Sequence, residues 1–563
     1  MQAVQRICFI LLVSALISAQ EATTPPDKQG LEHQVKDLLD AMATQQKAMA
    51  AQQNAMADQQ KQIARQQEEI ESLKNQLGTQ PKATAVAAGS QQPQLVNASL
   101  NTSNANNTPR TASLADYQEP KESPLSFRIG GAEFTPGGFL DFTGIFRSTN
   151  TGNLGTNFYA IPFSNTVQGH LTESRFTAGN SRINLKVTEK FGGNDVTGFV
   201  EADFLGNNGS NVFVTSNSDT MRLRHYWADV RHGKWEILGG QTWSWLTPNR
   251  VGVSAESQNV FYSQDMDFNY QAGLTWTRAP QFRVAYHAND HWVLGVAVEN
   301  AEQFAGQTAA GTPEITFPRA FNAQLTPQFD GGSNSATPNM HPDVIAKTAY
   351  DTDFHGRHFH MEAAGLLSTV KITNLPAVAN STFESHSKTG GGVEAALNLE
   401  LMKGIRFVSS GFLSDGGGRY IFGMGPDAVV LPNAAGTDVN ISLVHSGSGI
   451  MGFEAQVTPK TMFYGYYGGA YFQRNFALDT SAGAPANSFI GFGGPNSPNS
   501  SNRAIQEGTI GWTQTFWKSP QYGALQLITQ YSYLTRSPWF VAAGAPKNAH
   551  LSMPWVDFRY VLP

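Results

Sequence analysis

The chain has 563 residues, a net charge of −6, 15% charged and 11% aromatic side chains, and 54 glycines. A charge this mild excludes partners won by phosphate neutralisation, and the charged fraction is below the rough quarter usual for soluble domains. No run approaches the roughly 18 apolar residues of a spanning helix. Many short alternating strands suit such a composition.

The chain opens MQAVQRICFILLVSALISAQEA. Arg6, the apolar stretch Ile7 to Ile17 and the small pair Ser18-Ala19 form the pattern of a secretory leader cleaved after Ala19, so residues 1–19 are expected to be a signal peptide. Cys8, the only cysteine, lies inside it. The mature chain then has neither a disulfide framework nor a cysteine metal site, and no cofactor is expected.

Residues 31–77 repeat every seven. Val35, Met42, Met49, Met56, Ile63, Ile70 and Leu77 occupy one seam position, and Leu31, Leu38, Gln45, Gln52, Gln59, Gln66 and Leu73 the other. A period of 3.5 predicts a left-handed coiled coil, about 70 Å long at 1.5 Å per residue. Glutamine in the seam makes it a weak one, so it needs chains already held together elsewhere. Residues 78–124, rich in Ala, Asn, Ser, Thr and Pro, read as a flexible linker.

From 125 to 563 the period becomes two. SRINLKVTEK sets Ile183, Leu185 and Val187 against Arg182, Asn184 and Lys186, and VTGFVEADF sets Val196 and Val200 against Glu201 and Asp203. Sixteen strands are predicted: 138–147, 181–190, 196–204, 220–231, 235–245, 271–287, 291–299, 343–351, 357–370, 390–401, 405–413, 447–457, 461–473, 503–517, 524–536 and 552–562. Eighteen is the alternative count. Every second connection is short and the others are long, which with an even strand number predicts an all-β, antiparallel transmembrane β-barrel. Closure satisfies each backbone group in a solvent that offers no partner. Trp276, Trp292, Tyr464, Tyr466, Trp512 and Trp517 are expected at the membrane interfaces.

FRIGGAEFTPGGFLDFTGIFRS (127–148), RINLKV (182–187), TGFVEADF (197–204), LRHYWADV (223–230) and GGQTWSWLTP (239–248) resemble the DcaP-like outer-membrane porins, most of all their acidobacterial branch. The resemblance implies a homotrimer of sixteen-stranded barrels in a Gram-negative outer membrane, with the coil in the periplasm. The barrels would then supply the association that a polar seam requires. One departure is the end of the chain, Tyr560-Val-Leu-Pro563, where outer-membrane barrels usually end on an aromatic residue.

A charge facing lipid costs about 2–4 kcal/mol at the midplane. Asp141, Arg147, Arg182, Lys186, Glu201, Asp203, Arg222, Arg224, Arg283 and Arg406 are therefore expected to line the lumen. Glu201 with Arg224 and Asp203 with Arg222 fit one antiparallel register, and surplus arginine there would make an anion-attracting wall; mutual neutralisation is the alternative. The loop 246–270 corresponds to the one that narrows general porins, so Arg250, Glu256, Asp265 and Asp267 are constriction candidates by that resemblance. His358 and His360 lack a third ligand and read as ordinary strand residues, and no serine has a nucleophile-elbow context. The expected function is passive diffusion of small hydrophilic solutes, with a leaning to anions such as carboxylates, and no enzymatic activity. The alternative is a tether, in which the coil binds the cell wall and the barrel anchors it in the outer-membrane lipid.

Overall fold

A computed structural model describes residues 123–563 apart from 153–157, 207–219, 261, 267–270, 308–312, 333–336 and 423. The leader, the heptads, nearly all of the linker and Asp267 lie outside the described residues.

Sixteen staves form the wall. They are β1 (Ala132–Arg147), β2 (Arg182–Phe191), β3 (Asn194–Asp203), β4 (Arg222–His232), β5 (Trp235–Trp243), β6 (Arg278–His287), β7 (Trp292–Glu299) and β8 (Asp343–Phe354), followed by β9 (Arg357–Asn374), β10 (Glu384–Met402), β11 (Ile405–Asp415), β12 (His445–Thr458), β13 (Thr461–Phe472), β14 (Asn502–Ser519), β15 (Gly523–Pro538) and β16 (Ala549–Val561). Each pairs antiparallel with the next, and β16 returns to β1 with Val561 opposite Phe139 and Trp555 opposite Ile145. The barrel is closed. Two short strands, Phe127–Ile129 and Glu173–Thr177, only extend the pairing of β1.

Every predicted strand is present, with two corrections. The sixth starts at Arg278 rather than at 271. Residues 271–276 are buried inside the barrel and belong to the preceding loop, so their alternation reflects chain lying on the inner wall. The second correction is register. Asp203 does face Arg222, but Glu201 faces His225, because a bulge shifts the ladder between Glu201 and Ala202. One extra residue on β4 turns both Arg224 and His225 inward, as a bulge does.

Short turns close one end. Gly192 and Gly193, at φ 57° and 80°, join β2 to β3, the left-handed pair that a two-residue hairpin requires. Outward-facing side chains are apolar and exposed, among them Phe142, Leu223, Leu294, Val393, Met451 and Ile510. Near the short turns Trp235 packs on Tyr286 at 4.8 Å and Trp292 on Tyr350 at 4.7 Å, an aromatic girdle of the kind a membrane interface favours. Trp276, Tyr464 and Tyr466 are not part of it. All three are buried in an interior cluster, because they contribute to the packing around the inner loop.

Candidate pore and its inner loop

The alternation that puts apolar residues outward turns the predicted charges inward, where they are mostly paired. Arg559 grips Asp141 through two bonds of 2.7 and 2.9 Å. Arg147 meets Glu173 at 2.7 Å, and Arg406 stands 3.7 Å from Glu454. Arg283 donates to Gln281 and to the Trp243 carbonyl. Arg222 binds both oxygens of Asp203. Arg224, bulged out of register, still reaches Glu201 and Asp203, each at 2.8 Å, while Arg182 lies 3.9 Å from Glu201. Neither Arg222 nor Arg224 is left without a carboxylate. A bare arginine wall is therefore absent from this pair of strands, and of these two arginines it is Arg222 that keeps appreciable exposure, at 38% of its side chain.

The connection between β5 and β6, residues 244–277, does not arch outward. Its described residues run along the inside of the barrel and bond to the far wall. Asn249 donates its N–H to Glu362 of β9 and accepts from Lys347 of β8 at 2.9 Å. Arg250 holds Glu454 of β12 in a fork of 2.6 and 2.9 Å. The Tyr262 hydroxyl accepts from Ser409 N of β11 and donates to the Leu397 carbonyl of β10. Farther along, Gln264 N reaches Tyr466 of β13, Met266 N reaches Gln530 of β15, and Ala272 N reaches Glu507 of β14. Close backbone approach makes this possible. A Cβ on Gly468 would lie 2.2 Å from the Ala272 carbonyl oxygen, and one on Gly273 2.1 Å from that of Gly449.

Three of the four loop candidates are thus placed inside. Burial works against the Arg250 charge, but Glu454 more than offsets it, so the guanidinium is held more firmly protonated than usual. Glu256 pairs with Lys186 at 2.7 Å. Asp265 is 5% exposed, and neither carboxylate oxygen has a hydrogen-bond partner among the described residues. Burial, with Glu507 and Glu454 nearby, raises its pKa well above the usual range. Asp267 lies outside the described residues.

At the long-loop end a cavity of about 390 Å³ opens between the wall and the loops. Arg222, Arg278 and Arg419 face it together with Glu302 and Asp330. Arg278 lies 5.1 Å over the Trp243 ring, and Arg419 is fixed by Asp343 at 2.6 Å. Burial raises the pKa of Glu302 above the usual carboxylate range. His360 is flanked by Asp351 at 2.8 Å and Glu362 at 3.3 Å, as a wall residue in a charge ladder.

No family model matches the sequence, and no curated protein matches it. Among solved structures, the outer-membrane channel DcaP of Acinetobacter baumannii aligns over 78% of this chain and 99% of its own, with a TM-score of 0.53 and 17% identity. The fold is that of a DcaP-type channel. OprB of Pseudomonas putida (12% identity, 76% of this chain and 94% of its own, TM-score 0.41) and an anion-selective porin from Comamonas acidovorans (10%, 76% and 99%, 0.40) are more distant matches.

In this DcaP-type barrel several lumenal charges went unnamed in the sequence. Lys347, Glu362, Glu394, Glu454, Glu507 and Asp557 all sit on inward strand positions, and strand alternation alone was enough to find them. Arg419 and Glu302 lie on loops, where no period tells inside from outside.

Proposed function

We propose that the chain is an outer-membrane porin, a passive diffusion channel for small hydrophilic solutes that works as a homotrimer. The inner loop carries this reading: it crosses the lumen while bonded to strands from β8 round to β15. A closed barrel that served only as an anchor would have no need to shape its interior this way. A leaning to anions such as carboxylates belongs to the same proposal. It rests on the mouth, where three arginines face two carboxylates across one cavity. This replaces Arg224, which is buried between its partners, as the source of selectivity.

Planar-bilayer recording of the full chain under a salt gradient tests both parts. Stepwise openings with an anion-leaning reversal potential are expected. R222Q/R278Q shifts that potential toward cations, and D330N shifts it the other way. Verified folded barrels that conduct nothing end the porin reading; conduction with no shift in either variant ends the anion reading alone.

A further inference from the structure

The β9–β10 hairpin rises beyond its neighbour at the long-loop end, since β11 ends opposite Gly391 while β10 begins at Glu384. A loop hairpin, Ala428–Pro432 with Val439–Leu443, packs against this extension through its second strand, and Ile372 and Val439 are fully buried in one apolar cluster. Its turn is tightly held. Asn433 N donates to the Asp438 carbonyl and Ala377 N to the Thr437 carbonyl. Asp438 is thereby fixed against the hairpin wall, where it meets His386 and Glu384.

We propose that Glu384, His386 and Asp438 form a site for a divalent transition-metal cation of the zinc class. Each offers a ligand atom, and the three atoms lie within 4.8 Å of one another. His386 Nε2 is 3.5 Å from Asp438 Oδ1. That is too long for a good hydrogen bond, yet it is close to the edge of a tetrahedron with bonds of about 2.1 Å. Nε2 is buried and has no hydrogen-bond partner among the described residues, which leaves this nitrogen available to a metal ion. Behind them Asn374, fully buried and directly opposite Glu384 in the ladder, donates Nδ2 to Asp438 Oδ1 at 2.7 Å. It leaves its own Oδ1 buried and unpartnered. A donor bonded to the carboxylate from behind orients it toward a metal ion.

One imidazole and two carboxylates suit zinc, with water completing a fourth position. The ion would add a further link between two segments that already meet through apolar packing and the hydrogen bonds of Asn374 and Ala377. It would pin the loop hairpin, and with it the 416–427 stretch that carries Arg419, to the wall.

The test is calorimetric titration of ZnCl₂ into the full-length protein, stripped with chelator and held in detergent. One Zn²⁺ per chain is expected, with affinity lowered at least about tenfold in H386A and likewise in D438N, which preserves shape if H386A fails to fold. H445A, which removes an exposed histidine at the same end, leaves binding unchanged. Bound Co²⁺ should give a visible absorption band that H386A abolishes. No Zn²⁺ binding by the parent protein, or binding that persists unchanged in H386A and D438N, overturns the proposal.

Discussion

Arg250 and Glu454 show why a charge can hold a loop inside a barrel. Removing one partner of a buried pair leaves the other uncompensated, at a cost of about 3–5 kcal/mol. E454Q should therefore loosen residues 249–262, seen as faster amide exchange there and as noisier open-channel current. R250M should be milder, because Arg406 still faces Glu454 at 3.7 Å. Asp427 offers a pH test. Burial, opposed by Arg419 and by the N–H groups of Arg419 and Phe304, pushes its pKa up to about 7. The folded loop thus prefers the protonated acid: its contribution is complete below the ordinary carboxylate range and is lost as pH rises through about 7. Exchange in 416–444, corrected for the intrinsic base-catalysed rate, should accelerate between about pH 4 and 7 and level off above that, and the acceleration should be absent in D427N.

The decisive element is the connection 244–277. Its ends are set by strands, but its path depends on wall positions that lack a side chain. Gly468 faces inward, and a Cβ there would meet the Ala272 backbone at 2.2 Å, so neither side has a flexible tip that can give way. G468V should displace the loop from β13 and widen the channel. Single-channel conductance measures this, with an increase expected; G465V, on the outward face of the same strand, should leave conductance at the parent value. The β9–β10 hairpin makes a related point. Its length beyond the barrel lets a loop hairpin dock on its inner side, and that docking brings Asp438 to His386.

For the whole molecule, barrel closure explains the bulk of the sequence pattern. Exposed apolar residues outside and paired charges inside are the arrangement that a lipid solvent and a wet lumen impose together. If three barrels associate, detergent-extracted protein should show conductance steps in groups of three, and chemical crosslinking should arrest at the trimer. Steps of a single size, together with a monomer mass in detergent, would exclude that assembly.

What the sequence determined by itself is whatever repeats with period two. Strand number, antiparallel order, the short-turn end and the inward side of Asp141, Glu201 and Arg406 all follow from alternation, which acts locally and leaves its trace in adjacent residues. It could not determine anything that depends on a contact across the lumen. Trp276 and Tyr464 looked like interface aromatics until the loop packed over them, and one bulge put His225 opposite Glu201 in the ladder while Arg224 kept its ion pair with Glu201. Arg250 with Glu454, 204 positions apart, and His386 with Asp438 belong to the same class. No short-range period encodes such pairs, because only the closed barrel decides which distant side chains share its interior.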